Sequence, residues 1–153
     1  MIADLLQVAQ RLAESEPGPA QQASLRRAVS TAYYALFHAV LENCAKALIN
    51  ADIANWETYS LLYRAPDHAT VKKVLEAAQY DKLLKDIARD VSAPFVKLQK
   101  ARIDADYDPG PLKQGSAEVL DLIEQARTAA LNLSNVPKVQ ILRLAALLIA
   151  KRR

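Results

Sequence analysis

Histidine and cysteine are scarce in this chain, which has two histidines and one cysteine among 153 residues. A single cysteine excludes an intrachain disulfide, and we expect Cys44 to be a buried thiol in a reducing compartment. A metal site built by a protein needs several His, Cys or carboxylate ligands at close spacing. The histidines and the cysteine form no such pair, so the sequence predicts no metal site, and we expect no cofactor.

Glycine is rare as well, with three in the chain, and it forms neither a phosphate-cradling loop nor a Gly-x-Ser-x-Gly motif. The common nucleotide-hydrolysing and acyl-transfer signatures are therefore missing. No apolar run approaches the roughly 18 residues that span a bilayer. The first residues lack the basic and then apolar pattern of a secretory signal. We expect no membrane association and a cytoplasmic location.

Apolar residues make up 52% of the chain, and the alternation typical of strands is scarce. Apolar positions recur instead at spacings of three and four, which predicts a single all-α domain over residues 1–153. The longest predicted helix, 21–50, organises the rest, and Pro94 is expected to kink or divide a helix over 81–104. A C-terminal helix over 137–151 is apolar around most of its circumference, so it either enters the core or forms a subunit interface.

The net charge of +3 is unevenly distributed, because residues 1–80 carry 7 basic and 8 acidic side chains and residues 81–153 carry 13 and 9. A basic half of this size permits contact with RNA or DNA, but it suits a soluble surface equally well.

A polar line runs along the longest predicted helix, beside its apolar face. It consists of Arg27, Thr31, Tyr34 and His38, which are separated by four, three and four residues. These side chains can bind anions, stack on rings or exchange protons. They can equally be a tethered tyrosine and a hydrogen-bonded histidine that cover the edge of the core.

A second cluster spans Arg102 to Asp108. If the helix continues to Asp106, Arg102 and Asp106 are four residues apart on one face and can form an ion pair. Tyr107 then lies at the helix end. One interpretation is a helix C-terminus that fixes the following loop. The other is a guanidinium beside a phenol and carboxylates that holds a phosphate or an RNA backbone.

Two further features have structural interpretations. Trp56, Tyr59 and Tyr63 fit one face of a short helix, and we interpret them as packing residues rather than as a recognition surface. Asp67 is predicted to cap the next helix, and we interpret the nearby Arg64 and His68 as part of that helix start.

The two polar clusters together resemble the HEPN superfamily of small α-helical domains. Arg27 through Ala39 match the pattern Arg-x-x-x-x-Ala-Tyr-Tyr-Ala-x-Phe-His-Ala, and Arg102 through Asp108 match Arg-x-x-Ala-Asp-Tyr-Asp of one large branch. The likeness covers roughly residues 20–133. It implies an up-and-down bundle, here of about five to six helices, that forms homodimers.

The resemblance also implies a function. Many HEPN proteins are metal-independent ribonucleases of toxin–antitoxin, phage-defence and RNA-processing systems, and others pair with a small nucleotidyltransferase. In the nucleases an Arg is followed after four to six residues by a His. Here Tyr107, Asp108 and Pro109 occupy those positions, so the general acid or base of that chemistry is missing from its expected place.

Three hypotheses follow from this departure. The first is an RNA- or nucleotide-binding homodimer. The second is an accessory or antitoxin-like subunit that pairs with a nucleotidyltransferase, and the third is a divergent ribonuclease in which His38 replaces the missing histidine. The six candidate residues are Arg102 and His38 for catalysis and Arg27, Tyr34, Asp106 and Tyr107 for binding.

Overall fold

The computed structural model describes residues 1–49 and 55–150, and within these ranges the chain forms α-helices and no strand. The all-α prediction is therefore confirmed. The helices are α1 (Ile2–Ala13), α2 (Gln21–Leu48), α3 (Trp56–Arg64), α4 (His68–Leu75), α5 (Asp81–Leu84), α6 (Ala93–Tyr107), α7 (Ser116–Asn135) and α8 (Lys138–Ile149).

Helix α2 lies at the centre of the bundle and packs against α1, α3, α6, α7 and α8. Small residues at helical spacing let these neighbours approach its backbone closely. The small residues are Ala28, Ala32, Ala35 and Ala39, each at most 1% exposed. Larger residues such as Tyr33 and Leu36 fill the space between the helices and are also fully buried. The periodicity of this stretch therefore correctly predicted the element around which the core forms.

The predicted helix over 81–104 is divided, but the break lies at Lys85 and not at Pro94 as the sequence predicted. Helix α5 ends at Leu84, because the φ of 46° at the next residue, Lys85, is incompatible with a continuing α-helix. A π-helical turn over Ala88–Ser92 then leads into α6, where Pro94 is tolerated because it lies in the first turn. This division and the separate short helices α3 and α4 give eight helices in the described residues, where the sequence predicts about five to six.

Helix α8 buries one face and exposes the other. Ile141, Leu144 and Leu148 are buried in the core, whereas Val139 and Ile149 are 52% and 43% exposed. The predicted C-terminal helix thus enters the core along one side. Its predicted end at Lys151 and the basic Lys151–Arg153 segment lie outside the described residues. No helix in the described part of the chain is both long enough and apolar enough to cross a bilayer.

Candidate functional site

Helices α2 and α6 bring the two polar clusters of the sequence into contact. The Nη2 atom of Arg102 donates a hydrogen bond of 2.9 Å to the Tyr34 hydroxyl. The Nε atom of Arg102 lies 3.0 Å from Oδ2 of Asp106, four residues further along α6. The other carboxylate oxygen of Asp106 accepts a hydrogen bond from the Ser30 hydroxyl. Arg102 therefore makes polar contacts with two other candidate residues, Tyr34 and Asp106.

Aromatic rings surround the Arg102 guanidinium. Its central carbon lies 5.6, 5.5 and 5.8 Å from the ring centroids of Tyr33, Tyr34 and Tyr107. Rings at this distance attract a cation through their negative faces and restrict its orientation. Tyr107 is the last residue of α6 and is 70% exposed. The guanidinium thus lies between two inner rings and one ring at the surface.

Most of the hydrogen-bonding capacity of Arg102 is unused. A guanidinium has five N–H donors, and the bond to Tyr34 is its one aligned hydrogen bond within the described residues. The buried Nε is close enough to Asp106 for an ion pair but is not aligned for a hydrogen bond. The side chain is 14% exposed, so part of it still reaches solvent. This partly buried cation can accept an anion without losing its existing partners.

His68 also belongs to this site, although the sequence analysis assigned it to a helix start. Its ring stacks on Phe37 with 3.9 Å between the centroids, and its Nδ1 atom lies 2.7 Å from the Tyr33 hydroxyl. The predicted cap is nevertheless confirmed, because Asp67 accepts a 2.7 Å hydrogen bond from the Thr70 amide. No spacing in the sequence connects a first residue of α4 with rings on α2, so only the tertiary packing reveals this contact.

We refer to these groups as the Arg102 cluster. It consists of Ser30, Tyr33, Tyr34, His68, Arg102, Asp106 and Tyr107.

His38 lies at the edge of the Arg102 cluster and is held by α3. Its Nδ1 atom is 2.5 Å from the Tyr63 hydroxyl, and the two rings stack with centroids 5.9 Å apart. Its ring centroid is 6.4 Å from that of Tyr34, which in turn binds Arg102. Tyr34 therefore connects the two residues that the sequence analysis proposed for catalysis.

Burial lowers the pKa of His38 and of His68, and the positive charge of Arg102 lowers the pKa of His68 further. Both imidazoles are therefore neutral at pH 7, the state in which a histidine can accept a proton. Burial also raises the pKa of Tyr63 to about 12 and raises that of Tyr33 further. Both phenols keep their protons at this pH and remain hydrogen-bond donors.

These lowered histidine pKa values predict that acid destabilises the fold. The unfolded chain binds protons near the ordinary imidazole pKa of 6.5, whereas the folded chain resists protonation. The free energy of unfolding should therefore be highest above pH 6.5 and should decrease as the pH falls through the lowered values. Replacing His68 with Asn retains a polar group near Tyr33. This variant should lose less unfolding free energy than the wild type as the pH falls. Calorimetric melting temperatures between pH 7.5 and 5.0 test this, and identical pH profiles for the two proteins would contradict it.

The adjacent arginines of α2 have different roles. Arg26, which the sequence analysis did not select, donates hydrogen bonds to carbonyl oxygens at the end of α6 and in the loop after it. The acceptors within normal distances are Ala105 at 2.7 Å and Asp108 at 2.9 Å, and the Gly110 carbonyl also accepts. Arg26 thereby fixes the end of α6, on which Asp106 and Tyr107 lie.

Arg27 is exposed, and its side chain makes no hydrogen bond or ion pair with the described residues. Its backbone carbonyl accepts a bond from Thr31. Because Arg27 is three residues before Ser30 and seven before Tyr34, it lies on the same side of α2 as these two residues. It is therefore at the rim of the Arg102 cluster and does not contact the guanidinium.

The Arg102 cluster reaches the surface through Asp106 and Tyr107, whereas its Ser30 and Tyr33 are buried. A separate groove of about 810 Å³ lies between α6 and α7. Lys97, Lys100 and Asp104 line the α6 side of the groove, and Glu118 and Asp121 line the α7 side. None of the six candidate residues lines it. In the described part of the chain no three potential metal ligands among His, Cys, Asp and Glu come together.

No family model, curated protein or solved structure matches this chain. The choice between the candidate functions therefore depends on the geometry of the cluster and on its two motifs.

Proposed function

We propose that this protein is a HEPN-like homodimer that binds RNA, and that Arg102 holds a phosphate of the RNA backbone. The observation that carries the proposal is the environment of the Arg102 guanidinium and its unused hydrogen-bond donors. The guanidinium is oriented by three tyrosine rings, paired with one carboxylate and left with most of its donors unused. The apolar residues exposed on α8, Val139, Leu142 and Ile149, support the homodimer.

A phosphate fits this arrangement for three physical reasons. The planar guanidinium matches two phosphate oxygens at once, which a lysine cannot do. The surrounding rings lower the local dielectric constant, so a charge pair there is stronger than one in bulk water. The bond from Ser30 holds Asp106 at the side of Arg102, so the carboxylate orients the guanidinium while other donors remain available.

The exposed Arg27, beyond the cluster on the same side of α2, supports a polymer rather than a small nucleotide. A mononucleotide site is usually a concave pocket that buries most of the ligand, whereas the Arg102 cluster continues along α2 toward Arg27. Arg27 precedes Tyr34 by seven residues, about 10 Å along the helix axis. Arg102 binds the Tyr34 hydroxyl, so Arg27 and Arg102 can each contact a different phosphate of one extended strand.

A second candidate function is metal-independent cleavage of the bound RNA. It is favoured by His68, which is neutral, lies within the Arg102 cluster and experiences the charge of Arg102. A neutral imidazole near a bound phosphate can accept the proton of a ribose 2′-hydroxyl. The sequence predicted this role for His38, but the hydrogen bond of His38 is with Tyr63 on α3. His68 instead contacts Tyr33 and Tyr34, the two inner rings that flank the guanidinium.

One experiment tests both functions. A fluorescein-labelled single-stranded RNA of 20 nucleotides is titrated with the wild-type protein at several salt concentrations in EDTA, and the same samples are then separated on a denaturing gel. Binding through two phosphates should give a slope of about −1.4 for log K against log salt concentration. Absence of binding at low salt would contradict the proposal. Intact RNA after saturation would exclude cleavage and leave binding as the function.

A further inference from the structure

A line of neighbouring rings, some stacked and some tilted, leads from the surface of α3 to the Arg102 cluster. Trp56, Tyr59 and Tyr63 lie on one face of α3, with centroids 5.5 Å and 5.7 Å apart along the series. The series continues onto α2, because the Tyr63 ring lies 5.9 Å from that of His38. We call these four residues the aromatic ladder. Tyr34 then joins its inner end to Arg102.

The outer end of the aromatic ladder is not part of the core. Helix α3 has no buried residue, and Trp56 is 66% exposed. One face of the Trp56 ring stacks on Tyr59 at an interplanar angle of 28°, which leaves the other face for solvent or a ligand. The interpretation of these aromatics as packing residues therefore fails for Trp56, which a packing role would bury.

We infer that the aromatic ladder is a base-stacking platform and that the RNA bound by this protein is single-stranded. A nucleobase stacks on the open face of Trp56 and extends the ladder by one ring, while the backbone of the same strand continues toward Arg102. The phosphate end of this inference rests on the function proposed above. The platform itself rests on the exposure and stacking of the α3 rings.

Stacking explains why the strand must be single. Every base has an aromatic face, so a tryptophan platform binds bases without reading their sequence. In a duplex those faces are already stacked on neighbouring bases and are inaccessible to a side chain. The platform is also organised in advance, because the hydrogen bond between Tyr63 and His38 fixes its inner end. Rings that are already ordered lose little entropy when a base binds.

Trp56 is the one tryptophan of the chain, so its fluorescence reports directly on the platform. Unlabelled oligoadenylate RNA of 12 nucleotides is titrated into the wild-type protein while Trp56 fluorescence is recorded. Anisotropy of a labelled strand measures binding to the wild-type protein and to each variant in parallel. Quenching of Trp56 should follow the binding curve. Trp56→Ala should raise the dissociation constant about tenfold, as expected for one lost base–aromatic stack.

Two variants serve as controls. Trp56→Phe retains a ring and should retain most of the affinity, and Leu61→Ala removes an aliphatic side chain that is 73% exposed on the same helix and should not change it. Because both positions are exposed, each variant should fold, which circular dichroism verifies.

The outcomes separate this inference from the proposed function. Wild-type affinity in Trp56→Ala, or unchanged Trp56 fluorescence at saturation, would overturn the platform. If Arg102→Lys nevertheless lost binding, the proposal that Arg102 holds a phosphate would still stand. Equal affinity for a duplex of the same length would overturn the preference for single strands. Absence of any RNA binding by the wild-type protein would overturn both proposals.

Discussion

Replacing Arg102 with lysine is expected to weaken RNA binding about 10- to 100-fold while the helices stay folded. Lysine keeps the positive charge but loses the planar fork that holds two phosphate oxygens, and it stacks poorly between Tyr34 and Tyr107. A charge-assisted hydrogen bond contributes about 1.5–3 kcal/mol, and each ~1.4 kcal/mol changes the dissociation constant tenfold. Anisotropy titrations of the variant against the 20-nucleotide RNA measure the loss.

Arg27→Ala is the matched control for this prediction. It removes the same type of side chain from the same face of the molecule, but Arg27 is exposed and lies at the rim of the Arg102 cluster. The loss of one exposed phosphate contact should weaken binding only a few-fold and should make the salt slope shallower by about 0.7. If Arg27→Ala lost as much affinity as Arg102→Lys, general surface charge rather than the cluster would explain the binding.

The largest effect on stability is expected from Arg26→Ala, which should lower the free energy of unfolding by about 3 kcal/mol. The variant leaves the carbonyls of Ala105, Asp108 and Gly110 without their cationic donor. The contacts to Ala105 and Gly110 are partly buried and that to Asp108 is exposed. A buried acceptor that loses its partner costs about 1–3 kcal/mol, and neighbouring losses do not simply add. For a domain of this size the melting temperature should fall by about 10 °C.

Arg27→Ala again provides the comparison, because removing an exposed side chain without partners changes stability by at most about 0.5 kcal/mol. Urea unfolding followed by circular dichroism compares the two variants directly. A wild-type unfolding midpoint for Arg26→Ala would show that the end of α6 is held by other contacts. The function of Arg26 would then need a different explanation.

The helices were predictable because their evidence is local. Apolar residues at spacings of three and four determine which face of α2 is buried, and Asp67 caps α4 through a side chain three residues from its partner. The Arg102–Asp106 pair is local in the same sense, since it follows from a spacing of four within one helix. Such features need no knowledge of what packs against the helix.

Other features depend on tertiary contacts, or on backbone conformations that no residue type in the sequence indicates. Lys85 adopts a positive φ that ends α5, although glycine is the residue that normally signals this conformation. Arg26 and Arg27 are identical in type and adjacent, so only the position of α6 distinguishes the structural arginine from the exposed one. His68 joins the rings of α2 across a separation of 35 residues in sequence.

The measurement that tests the central claim most directly is a side-chain NMR titration of the arginine Nε–Hε signals with the single-stranded RNA. The Arg102 signal, assigned by its absence from the spectrum of Arg102→Lys, should shift as phosphate binds and should saturate with the anisotropy curve. A saturated complex in which the Arg102 signal has not moved would contradict the claim and would place the RNA elsewhere on the protein.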